Sequence, residues 1–139
     1  MPLVTLVYFS VAYKKEVPDA ELMDILTIAR KNNKTLNVTG MLLYRDGFFI
    51  QALEGEQAIV EDLYTKIAQD SRHKNIITVY QNEISKRLFM DWFMGFNRLE
   101  DRHLADIEGY DGVVDAEFFA TKPGRVTSLL ETFRNRPYF

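Results

Sequence analysis

The chain has 139 residues, a length that suits one domain able to bury about two-thirds of its unfolded surface. It is 47% hydrophobic and 27% charged, with a formal charge of −3 and a pI of about 5.4, so no basic excess marks it for nucleic acid or an anionic membrane. The absence of cysteine excludes disulfides, thiolate metal sites and cysteine nucleophiles, and fits a reducing compartment.

The N-terminal run from Leu3 to Ala12 is apolar, but lysines at 14 and 15 follow it where a signal peptide needs them in front. It is also too short to span a bilayer, so a cytoplasmic protein with no membrane association is expected. Leu3 to Ser10 suits a strand, with Leu6, Tyr8 and Ser10 on one face and Val7 and Phe9 on the other. Tyr8 is either a packed aromatic with a satisfied hydroxyl or a phenol held on a definite face for use. Pro18 then opens a helix, and Leu22, Ile25, Leu26 and Ala29 recur at helical spacing along it. The spacing predicts that this helix ends at Arg30-Lys31-Asn32-Asn33, where the two asparagines either cap it or point their amides into a pocket.

Gly40 to Glu56 reads as a hairpin turning at Arg45-Asp46-Gly47, and its apolar flanks place it in the middle of a sheet. Gln51 interrupts that apolar pattern. A buried amide without partners costs ~1–3 kcal/mol, which suggests that one partner comes from a ligand. A second amphipathic helix follows, with Ile59, Leu63 and Ile67 on its stripe, closing near Asp70 to Asn75. Ile76 to Tyr80 is a fourth strand, and Trp92 to about Asn97 a fifth, in which Trp92 and Met94 would share a face. Beyond residue 98 the chain turns charged and glycine-broken, with helices expected at His103 to Ile107 and Arg125 to Arg134. The order is a ferredoxin-like βαββαβ α+β arrangement with a fifth strand, both main helices on one face, and a C-terminal helical cap.

No metal site is expected, because His73 and His103 lie far apart without a ligand spacing. Glu54 and Glu56 read as a strand-end turn and helix N-terminal acids. No hydrolase, phosphate-loop or dinucleotide motif occurs. What stands out is Tyr8, Asn32, Asn33 and Gln51 on apolar elements, with Trp92 or Met94 on a further strand.

Those residues sit in fragments that resemble the BLUF family, blue-light sensors that use FAD. They are Tyr8-Phe9-Ser10, Arg30 to Asn33 with Asn37 to Tyr44, Phe49 to Glu56, Asp70 to His73 and Asp91 to Met94. They occur in family order over about the first 98 residues. The resemblance implies noncovalent FAD between the two sheet-packed helices, its ring between Ile25 and Ile67. Asn33 would bond the pyrimidine edge of the flavin with Asn32 on the same side, and Gln51 would bridge the Tyr8 hydroxyl and the flavin N5/O4 edge. Lys66, Asp70, Arg72 and His73 correspond to positions near the outer part of the cofactor. Tyr8 and Gln51 would be the photochemical switch, with electron and proton leaving the phenol and the amide rearranging. Trp92 and Met94 would carry the signal, although Phe93 stands where many relatives have a small or polar residue.

The resemblance further implies a photosensor that turns over no substrate, in the short form of the family. Residues 1–98 would be the sensor and 99–139 the output extension, acting on a second copy or a separate effector protein. An RNA-binding module of the same strand-helix order is disfavoured by the acidic charge. A colourless ferredoxin-like ligand-binding scaffold would leave the coincidence of Tyr8, Asn33 and Gln51 unexplained.

Overall fold

The computed structural model describes residues 2–14, 16–90, 92–112 and 114–134. Asp91 of the last matched fragment, and positions 113 and 135–139 of the expected cap, lie outside the described residues. The strands are β1 (Leu3–Ala12), β2 (Thr39–Arg45), β3 (Phe48–Glu56), β4 (His73–Glu83) and β5 (Gly95–Arg98). The helices are α1 (Asp19–Leu36), α2 (Gln57–Ala68), α3 (Asp101–Leu104), α4 (Ala116–Ala120) and α5 (Gly124–Arg134). The sheet order is β4-β1-β3-β2-β5, antiparallel except for the parallel β2–β5 pair.

The expected hairpin is the centre of this sheet. Asp46 and Gly47 turn with φ of 41° and 86°, the pair of positive angles that matches strand twist in a two-residue turn. Both faces of the hairpin are covered, which explains its continuous apolar run. On one face α1 and α2 bury Leu22, Leu26 and Val60 against Leu6, Tyr8, Leu42 and Leu53. On the other, α3, α4 and α5 bury Leu104, Phe119, Val126, Leu129 and Phe133 against Val7, Phe9, Met41 and Ile50.

Several boundaries differ from the sequence reading. The first helix does not stop at Asn32-Asn33 but runs to Leu36, and Pro18 lies just before it. Asn37 is the left-handed cap, with φ 56° and its N–H reaching the Asn33 and Lys34 carbonyls. Leu36 packs on the core, so the apolar period outlasts the basic and asparagine residues that looked like a stop. The fourth strand extends past both ends of the apolar run, because pairing with β1 continues from His73 to Glu83 whatever the side chains. An edge strand tolerates polar residues since one of its sides faces solvent.

The fifth strand begins at Gly95, not Trp92. Trp92 N donates to Phe89 O at 3.0 Å and its carbonyl accepts from Gly40 N at 2.9 Å, so the approach to β5 is a turn. Consequently Trp92 and Met94 do not share a strand face. The helix α4 went unread, although Asp115 caps it by accepting from Phe118 N at 2.9 Å.

Gly40 marks a close backbone approach: a Cβ there would lie 1.9 Å from the Ala52 carbonyl oxygen. Gly40→Ala is therefore expected to destabilise the fold by more than about 2 kcal/mol, because backbone rather than a flexible side chain must move. The urea unfolding midpoint followed by circular dichroism measures it.

Candidate functional site

A cleft of about 260 Å³ opens between α1 and α2 above the sheet, near the lower end of small-ligand sites. Each element contributes one face of itself. On α1 the lining positions Ile25, Ile28, Ala29, Asn32 and Asn33 follow helical spacing. On α2 and its exit, Leu63, Lys66, Ile67 and Asp70 do the same, and Arg72 and His73 follow. The floor is Tyr8 of β1, Leu42 of β2, and Phe49, Gln51 and Leu53 of β3 at period two. All ten expected lining residues are thus brought together. Of the apolar lining, Ala29 and Leu63 lie on the expected helix stripes, whereas Ile28, Leu42, Phe49 and Leu53 were not singled out, although period two around Gln51 marks Phe49 and Leu53.

Tyr8 and Gln51 face each other in register across the β1–β3 pair, and the Tyr8 hydroxyl donates to Gln51 Oε1. Burial pushes the Tyr8 phenol far above its ordinary pKa, with Tyr64 and Asp70 adding to the effect. The phenol therefore stays protonated at any physiological pH. Gln51 Nε2 meets Met94 Sδ at 3.4 Å, and a thioether is a weak acceptor, so this buried amide keeps donor capacity for a ligand acceptor.

Met94, not Trp92, is the neighbour of Gln51. Trp92 lies with the cap core, its ring stacked on Phe89 at 5.8 Å. Asn33 is buried and its Nδ2 donates to Phe93 O at 2.7 Å, while Arg30 Nε donates to Met94 O at 2.9 Å. No donor among the described residues reaches Asn33 Oδ1, which leaves that oxygen for an N–H of a ligand. Asn32 is exposed at the rim.

The outer end of the cleft is charged but internally paired. Arg72 and Asp70 bond through Nη2 to Oδ2 at 2.6 Å, holding the Asp70 carboxyl below and the Arg72 guanidinium above their ordinary values. Lys66 pairs with Asp62 at 3.3 Å. Both pairs are exposed enough to be screened by salt. His73 has both ring nitrogens engaged, Nδ1 with Ser10 Oγ at 2.9 Å and Nε2 with Ile67 O at 2.6 Å, and its edge meets Tyr8 at 6.2 Å.

The residues fit FAD. Aliphatic walls suit a flat ring, the amides at the buried end can match both donors and acceptors on its edge, and the cations stand at the mouth. Fold and cleft together define an α+β domain whose cleft sets a buried tyrosine–glutamine pair between aliphatic walls.

The comparisons with known proteins carry this further. The family model described as sensors of blue-light using FAD matches residues 3–95, and the chain belongs to that family, BLUF. Over 87 residues it is 41% identical to photoactivated adenylate cyclase subunit alpha of Euglena gracilis, covering 63% of this chain and 8% of that protein. To subunit beta of Euglena longa it is 39% identical over 87 residues, covering 63% and 10%. The chain thus spans about a tenth or less of the curated relatives it matches. Among solved structures, BlsA in its ground state superposes with a TM-score of 0.85 at 28% identity, over 99% of this chain and 91% of that one. BlrB in its dark state gives 0.79 at 27% identity, over 96% of each. The ferredoxin-like fold, blue-light sensing and FAD follow from this membership. Among the described residues no helix is long and apolar enough to cross a membrane.

Proposed function

We propose that this chain senses blue light through Tyr8 and Gln51 and reports it by repacking, without turning over a substrate. The observation that carries the reading is the Tyr8 hydroxyl bonded to Gln51 inside the cleft, with Met94 on the far side of the same amide. FAD would supply a ring that absorbs blue light and becomes a strong oxidant when excited. Ile25 and Ile67 would hold it from either side, and Asn33 with Asn32 would orient its polar edge. Lys66, Asp70, Arg72 and His73 line the outer end; Lys66 and Arg72 offer positive charge to the cofactor tail, Asp70 holds Arg72 in place, and His73 steadies the last turn of α2.

Tyr8 would then give up an electron to that excited ring, and its O–H would become acidic only at that moment, since burial otherwise opposes ionisation. Gln51 would accept the proton at Oε1 and pass one from Nε2 to an acceptor atom on the ring edge, because a carboxamide both accepts and donates. When the electron and a proton return to Tyr8, Gln51 would retain a changed hydrogen-bond pattern. Its bond to Met94 changes with it, and that thioether is the first group to register the signal.

The output passes from Met94 and Trp92 to residues 99–139, and from there to a second copy of the chain or to a separate effector. The two Euglena relatives are photoactivated adenylate cyclase subunits many times longer than the matched stretch, which supports an effector partner. Purified protein is expected to be yellow, to release FAD on denaturation, and to show a reversible red shift under blue light. A colourless protein that takes up no added FAD would end this reading.

A further inference from the structure

On the cap side of the sheet, Glu54 is a carboxylate only 2% exposed, and the photochemistry has no use for it. It lies buried inside β3, not in the strand-end turn that the sequence suggested. Its oxygens accept from Leu88 N at 2.6 Å, Phe89 N at 3.0 Å and Thr39 Oγ1 at 3.0 Å. Arg87 closes the grip, with Nη1 on Thr39 Oγ1 at 2.9 Å and on Glu54 O at 3.0 Å, and Nη2 on Asn37 O at 2.8 Å. A charge this deep persists only where donors fill its lone pairs, and two of the three donors here belong to one short backbone segment.

That segment links the two faces of the sheet. After Arg87 it places Phe89 in, and Trp92 against, the cap core cluster that also holds Leu129, Leu130 and Phe133. It then crosses to the cleft face, where Met94 meets Gln51. Gln51 and Glu54 are three apart on β3 and so face opposite sides of it. One strand therefore holds the segment at both ends, by an amide that light rearranges and by a carboxylate that it does not.

We infer that Glu54 is a positioning residue for output: it fixes a pivot at Leu88 and Phe89, so that displacement at Met94 turns Phe89 and Trp92 at the cap core. Without the pivot, the segment absorbs the displacement locally. The origin of the displacement rests on the flavin reading above; the anchor does not.

The test compares wild type, Glu54→Gln and Arg87→Met as full chains loaded with FAD, by absorption and by amide hydrogen exchange in dark and light. Glu54→Gln sets an NH2 group where a backbone N–H needs an acceptor. Both variants are expected to bind FAD and keep the red shift. The Leu88 and Phe89 amides should exchange at least about tenfold faster in Glu54→Gln, as local opening becomes easier. The light-minus-dark exchange difference over α5 should disappear in both. Arg87→Met keeps the carboxylate and guards against a folding defect peculiar to Glu54→Gln.

Persistence of the α5 difference in both variants overturns the inference, as does a wild type whose red shift leaves α5 unchanged. A wild type with no red shift defeats the flavin reading instead. The anchor is then judged in the unloaded protein, where unchanged exchange at Leu88 and Phe89 in Glu54→Gln overturns it.

Discussion

Gln51→Leu is expected to give a yellow protein that binds FAD and shows no light-induced red shift. Leucine keeps the approximate volume of glutamine, so the floor of the cleft between Phe49 and Leu53 stays filled. What goes is the acceptor for the Tyr8 hydroxyl and the donor to Met94. Loss of one amide contact to the ring should weaken FAD by no more than about tenfold, or ~1.4 kcal/mol. The shift, by contrast, needs a group that can both take and give a proton, and an isobutyl side chain does neither.

Tyr8→Phe should block the same step from the other side, since the ring remains but the O–H does not. Difference spectroscopy after blue illumination measures both. A normal shift in Gln51→Leu would remove Gln51 from the mechanism while leaving FAD binding intact.

The site was legible in the sequence because its polar residues break strong apolar patterns. Gln51 stands out in β3, and Tyr8 lies on a face fixed by alternation. Asn33 was harder to read, since an Asn-Asn pair after basic residues looks like a helix end. Only the left-handed Asn37 four residues later, with Leu36 still packing, shows that the helix continues. The approach to β5 misled for a different reason. Asp91 is the one turn-favouring residue in its apolar run before Gly95, and alternation across it fails because a Phe89–Trp92 backbone bond holds the approach in a turn. Glu54 was invisible as an anchor because two of its three donors are backbone groups 34 and 35 residues away, which no local pattern encodes.

The boundary at residues 98 and 99 is where sequence and packing pull apart, and Phe119→Ala separates the two. Phe119 is fully buried, with its ring 6.0 Å from Phe9 and 6.4 Å from Phe48. Its helix α4 has five residues, too few to persist on its own hydrogen bonds. Arg125 ties it to α5 by donating to Phe118 O at 2.8 Å while lying 4.0 Å above the Phe118 ring. Truncation should cost ~3–5 kcal/mol, or a fall in Tm of roughly 10–15 °C. Were the cap to lift off instead, Val7, Phe9, Met41, Leu43 and Ile50 would form an apolar face larger than a monomer sustains in water. We propose that residues 99–139 form an output segment in function but not a separate folding unit. Phe119→Ala should then unfold in one transition, losing FAD fluorescence quenching and far-ultraviolet ellipticity at the same reduced temperature. Two transitions, with FAD still held after the first, would make the sensor and the cap independent domains.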